Sequence, residues 1–258
     1  MNPFNHPAYE HLPLRTRKKL LSPISEDKLT WDCCVGLRQA GALGPVLADA
    51  LGLSHEKLVE PQLILWGLEI GESSAPAWPP LLPILFELEN YRDGKPEGQK
   101  TEPDAIVVTN SSIVVLECKR TSDLGECSRF KDQRCPEINL DRRKRPFCQY
   151  WARGLDQLVS FPKPEAGASV APCSLFYQLM RNYMVGFRLA QVLKLGLHLL
   201  VVKASNSPHF SETVQRVAAF NSFTRNAPKY SVVSWNDLRF ANGKDLLPGY
   251  AAELSVDP

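Results

Sequence analysis

The chain has 258 residues, 44% hydrophobic and 22% charged, with 30 Lys and Arg against 28 Asp and Glu and a net charge of +2. That apolar content excludes disorder throughout, and the lack of a sustained period excludes a coiled coil, a collagen or a repeat array. No apolar run approaches the roughly 18–20 residues that span a bilayer. The opening MNPFNHPAYEHLPLRTRKK has no apolar signal-peptide core, so a cytoplasmic protein without membrane contact is expected.

Residues 1–28 are rich in Pro, Lys and Arg and suggest a loose arm. Residues 31–51 carry apolar residues at helical spacing, interrupted at Gly44-Pro45, so 1–53 is expected to be an arm and helical extension. A helix is predicted over 54–70, with Ser54 as its cap. PILFELENY (83–91) alternates and predicts a strand, followed by a loop at RDGKPEGQK. EPDAIVVT (102–109) and SIVVLECKR (112–120) are β-branched runs that meet at Asn110-Ser111, which predicts a tight hairpin. Residues 121–174 form an irregular insertion with four cysteines and five prolines. A helix over 176–196, a central-type strand over 197–204, a helix over 211–224 and a strand over 230–235 follow, with a Gly/Pro-rich tail at 241–258. The order predicts a mixed α/β core over 54–240.

The hairpin carries the chemistry. If its turn is centred on Asn110-Ser111, Ile106 meets Val115 and Asp104 meets Glu117. Alternation then puts Asp104, Glu117 and Lys119 on one face. Both faces are otherwise apolar, which suits an interior strand, and two opposed carboxylates there need a compensating charge. A divalent cation bridging Asp104 and Glu117 supplies it, and hard oxygen ligands favour Mg²⁺ or Mn²⁺. The same pattern also fits an ordinary hairpin with a solvated charged end.

Pro103-Asp104, twelve intervening residues and then Glu117-Cys118-Lys119 resemble the PD-(D/E)XK motif of restriction-endonuclease-like nucleases. The resemblance covers about residues 54–204 and implies an αβββαβ core with a mixed sheet. It implies a Mg²⁺-dependent hydrolase of DNA phosphodiester bonds, a restriction-like or repair-type deoxyribonuclease. Asp104 and Glu117 would bind the metal, with the backbone carbonyl of Cys118, and Lys119 would orient the attacking water. Many such proteins carry a Glu on the helix before the first strand; Glu56 or Glu60 matches, Glu56 the better. Gln178 matches the Gln that many carry on the helix after the third strand, and Gln178, Arg181 and Asn182 share one face of it. Gln178 could equally bond buried backbone. The resemblance is compatible with a homodimer, since nucleases that cut both strands often dimerise. The alternative is an inactive nuclease fold that binds nucleic acid, or a protein that binds metal through cysteines.

The seven cysteines suit thiols or metal ligands better than a disulfide framework. Cys127, Cys135, Cys148 and Cys173 are separated by 7, 12 and 24 residues, with no CxxC pair. They are either free thiols or ligands of Zn²⁺ or of an iron–sulfur cluster. Around them lie Arg129, Lys131, Arg134, Arg142, Arg143, Lys144 and Arg145, interleaved with Phe130, Phe147, Tyr150 and Trp151. Cations beside aromatics suit phosphates and bases, although neighbouring acids offset much of the charge. Arg15, Arg17, Lys18 and Lys19 form a second basic patch. No GxGxxG, GxxxxGK[ST] or GxSxG motif is present.

Overall fold

The computed structural model describes residues 6–22, 25–89, 102–139, 141, 147–225, 228–241 and 244–245. The predicted loop at RDGKPEGQK, the basic run 142–145 and residues 246–258 of the tail lie outside them. The described residues 6–22 are not a loose arm. A 3-10 turn (Pro7–His11) and helix α1 (Leu14–Leu20) bury Ala8, Tyr9, Leu12 and Leu20 in the core. Helices α2 (Glu26–Gln39) and α3 (Leu43–Leu51) follow, and the break falls at Gly41 rather than at Gly44-Pro45. Pro45 sits in the first turn of α3, where its missing N–H costs nothing.

The predicted first helix and first strand change places. Residues 54–70 hold only a 3-10 turn (His55–Leu58), then strands β1 (Gln62–Leu65) and β2 (Leu68–Glu69). Trp66 and Gly67 connect them with φ of 49° and 78°, the paired positive values of a two-residue hairpin turn. Residues 81–89 form helix α4 (Leu81–Glu89). Leu81, Ile84, Leu85 and Leu88 are buried while Leu82 and Phe86 are exposed, a helical period.

From here the expectations hold closely. Strands β3 (Ala105–Val108) and β4 (Ser112–Lys119) pair antiparallel, with Ile106 opposite Val115 and Val108 opposite Ile113. Among its described residues the insertion is irregular, broken by the four-residue helices α5 (Ser128–Lys131), α6 (Gln149–Ala152), α7 (Leu155–Leu158) and α8 (Pro172–Leu175). Helix α9 (Tyr177–Leu193), strand β5 (Gly196–Lys203), helix α10 (Phe210–Phe223), strand β6 (Tyr230–Ser234) and helix α11 (Trp235–Arg239) complete the main order.

The fold is mixed α/β, with a six-stranded mixed sheet in the order β2-β1-β3-β4-β5-β6. The first four strands pair antiparallel; β5 is parallel to β4, and β6 to β5. Val114, Leu116 and Cys118 pack on one side against α2 and α3. Ile113 and Val115 pack on the other against α4 and α9. Every residue of β4 is buried, so the strand at the centre of the sheet has no solvated face. No helix among the described residues is long and apolar enough to cross a membrane.

Candidate active site

The open end of the β3–β4 hairpin gathers the charged residues. Asp104 immediately precedes β3, and its Oδ2 accepts the Cys118 N–H at 2.8 Å. Glu117 and Lys119 are 1% and 7% exposed, on the α9 side of β4. Burial at this depth is tolerable only because each charge is matched. Lys119 Nζ lies 2.9 Å from Glu117 Oε1. Asn182 Nδ2 donates to Glu117 Oε2 at 2.6 Å, and Arg181 Nη2 lies 3.3 Å from the same oxygen. Arg181 Nε donates to Asn182 Oδ1 at 2.9 Å, so two successive residues of α9 clamp Glu117 together. The Lys119 carbonyl accepts from Trp235 Nε1 at 3.0 Å, which fixes the strand end.

Electrostatics separates the two acids. Burial raises Asp104, and Glu117 raises it further; Lys119, the Cys118 N–H and Arg181 oppose, leaving its pKa at about 7. Burial also works to raise Glu117, but Lys119 and Arg181, with hydrogen bonds from Lys119 and Asn182, outweigh it and hold Glu117 low. Burial works to lower Lys119; Glu117, Asp104 and Glu26 outweigh it and hold the ammonium charged. Glu117 is therefore the ionised member of the pair, and Asp104 is the carboxyl left short of positive charge.

The remaining expected residues fall in different places. Gln178 accepts the Gly125 N–H through Oε1, so its carboxamide organises the chain after β4. The Cys118 thiol points to the opposite side of the sheet, beside Thr30 and Cys34, while its backbone N–H faces Asp104. Glu56 does not join the site. It is exposed in the turn whose Lys57 carbonyl accepts from Thr109 and Ser111 at 3.0 and 2.9 Å, the closed end of the hairpin. At ~3.3 Å per residue, five residues of strand put about 17 Å between that end and Glu117. Glu60 is exposed beyond the same turn.

Two residues absent from the sequence expectations are present. Glu26, in the first turn of α2, accepts from Arg120 N–H at 3.1 Å, Ser122 N–H at 3.2 Å and Ser122 Oγ at 2.6 Å. Its other oxygen lies 3.8 Å from Lys119 Nζ. Lys203 is the register partner of Lys119 on β5, fully buried, and donates to the Ser122 carbonyl at 2.5 Å. Burial lowers its pKa, against the pull of Asp123 and Glu26. Glu26 had one local signal, an acidic pair just after Ser25; nothing local marks Lys203 as facing a site.

A hard divalent cation suits this end of the sheet on two grounds. Asp104 is a half-buried carboxyl short of charge, and both acids with the Cys118 backbone edge come close there. Mg²⁺ is commonly held by one or two carboxylates, with water and substrate phosphates completing its shell. Among the described residues no group of three or more His, Cys, Asp or Glu is set to hold a metal ion. The basic insertion is only partly an open cationic surface. Lys131 pairs with Glu126 at 3.4 Å, and Arg134 pairs with Asp132. Tyr150 and Trp151 pack edge-on against Tyr177 and Phe161, with centroids 6.0 and 6.1 Å apart. Comparison with protein-family models, curated proteins and solved structures finds no match to this chain.

Proposed function

We propose that the chain is a Mg²⁺- or Mn²⁺-dependent nuclease that hydrolyses DNA phosphodiester bonds, built on a restriction-endonuclease-like core. The observation that carries this is the gathering of Asp104, Glu117 and Lys119 at the open end of the hairpin, where Asp104 accepts the Cys118 N–H and Lys119 pairs with Glu117. The succession α3, β1, β3, β4, α9, β5 supplies an αβββαβ order, with α4 and its flanking chain inserted after the first hairpin. Glu26, rather than Glu56, is the acid that an N-terminal helix sets beside the lysine.

Asp104, Glu117 and the Cys118 carbonyl would hold the metal, which polarises a phosphate and lowers the pKa of bound water. The chain's own residues do the rest. Lys119 stays protonated between Glu117 and Glu26, so it acts as a fixed positive charge and hydrogen-bond donor rather than as a base. It orients the attacking water and stabilises charge on the phosphate. Arg181 and Asn182 keep Glu117 ionised and fixed in direction, so little rearrangement is needed when substrate arrives.

Cleavage of plasmid and single-stranded DNA tests the reading. The parent is expected to cut with Mg²⁺ and not with EDTA. Asp104→Asn should lose about 10²-fold or more, as should Lys119→Met, with the latter still binding DNA. Full activity in both variants contradicts the assignment.

A further inference from the structure

Aromatic rings and charged side chains meet where the insertion packs on the end of α10. Phe147, Trp151 and Phe161 line a cavity of about 400 Å³ there, together with Asp156, Lys163 and Arg225. Sites for small molecules run from roughly 300 to 1,000 Å³, so this one has room for a flat ring with one charged group and little more. None of its lining residues belongs to the site around Asp104 and Glu117.

The cavity is built on fixed chain. Val159 bridges Thr224, and the Phe223 carbonyl accepts from Ser160 N–H at 2.7 Å and from Ser160 Oγ at 3.1 Å. The Phe161 ring lies 5.6 Å from Phe223 and 6.1 Å from Trp151, edge-on in both cases. Arg225 N–H donates to the Leu158 carbonyl at 2.9 Å, and its Nε to the Asp156 and Val159 carbonyls, both at 3.0 Å. Those bonds anchor the root of the guanidinium and leave both Nη groups without a partner among the described residues. Lys163 differs. Its Nζ lies 2.6 Å from Glu137, whose other oxygen accepts the Cys148 N–H at 2.7 Å, so this pair braces a wall.

A single exposed phenylalanine is ordinary. Phe147, 42% exposed, stands beside a half-buried Trp151 and an open guanidinium on one cavity. Aromatic rings take up a base by stacking, and an arginine fork takes a phosphate. The exposed Asp156 carboxylate adds an acceptor for a base amino group. An uncharged apolar ligand would leave Arg225 unmatched, and a bare anion would leave the rings uncovered. We propose that this cavity binds one nucleotide unit, its base against Phe147 and Trp151 and its phosphate at Arg225. A single strand presents such a unit, whereas a base stacked within a duplex does not. A free nucleotide carries the same groups.

The test is equilibrium binding to the full chain in EDTA, which prevents cutting. The probes are a short labelled single-stranded DNA, the same strand without bases, and the four deoxynucleoside 5′-monophosphates. Binding of the strand alone, or of the monophosphates as well, tells the two sources apart. Phe147→Ala, a surface change that should leave melting unaltered, is expected to weaken every probe that carries a base by about tenfold. Arg225→Gln should flatten the slope of log affinity against log salt for the strand by about 0.7, one phosphate contact, which loss of packing alone would not do. No binding of any base-carrying probe overturns the proposal, as does equal affinity in Phe147→Ala or equal binding of the strand without bases. DNA cleavage is not a readout. Failure here leaves the nuclease proposal standing, and a chain that binds as expected but never cuts keeps this one.

Discussion

Asp104 and Glu117 share a buried end of one hairpin, yet the structure treats them differently. Glu117 receives Lys119, Arg181 and Asn182; Asp104 receives a backbone N–H. The folded-state pKa of Asp104, about 7, is well above its unfolded value of about 4. Between these values the folded chain holds one more proton than the unfolded chain, so stability falls as pH rises through that window. In EDTA, thermal unfolding should show this fall from about pH 4 to about pH 7, on the order of a few kcal/mol. Asp104→Asn should flatten that slope, and Mg²⁺ should raise the melting temperature of the parent at pH 8 but not of the variant. An unchanged slope in Asp104→Asn would show that the proton sits elsewhere. The facing of these acids was legible because hairpin register is local: a turn at Asn110-Ser111 fixes every opposed pair. Glu26 was not, since its contact with Arg120 and Ser122 spans more than ninety residues and only packing creates it.

At the scale of elements, α9 carries the clamp on Glu117, and its distance from the sheet sets that clamp. A Cβ at Gly186 would stand 2.9 Å from Leu197 Cδ1 and 3.0 Å from Val115 Cγ2. Gly186→Ala should therefore push α9 outwards and cost about 1–3 kcal/mol in denaturant unfolding, with a loss of turnover as Arg181 and Asn182 shift. Unaltered stability would mean that Leu197 yields without moving the helix. The same kind of local evidence explains the exchanged pair of elements. PILFELENY alternates over a few residues, but extending the window to Leu81 reveals burial at 81, 84, 85 and 88, and a proline that suits a first helical turn. QLILWGLE shows no period, because β1 and β2 are too short; its signal is Trp66-Gly67, and a tryptophan at positive φ is rarely a turn residue. Helix α9 and strands β4 and β5 were legible because each is long and its pattern unbroken.

For the whole molecule, a six-stranded mixed sheet separates two apolar layers, and the charged residues collect where β3 begins and β4 and β5 end. The N-terminal helices are part of this arrangement, since α2 brings Glu26 to Lys119 and covers the side of the sheet opposite α9. Desolvating a charged array of that kind costs stability even where its charges are paired, whether or not it performs chemistry. The most direct test is a time course of supercoiled plasmid with the parent and Glu117→Gln, each in Mg²⁺ and in EDTA. The account predicts nicking or linearisation by the parent in Mg²⁺ alone, with Glu117→Gln at least about 10²-fold slower while melting cooperatively. No cutting of plasmid or single strands by the parent, or equal cutting by Glu117→Gln, would contradict it and leave the fold as a binding module.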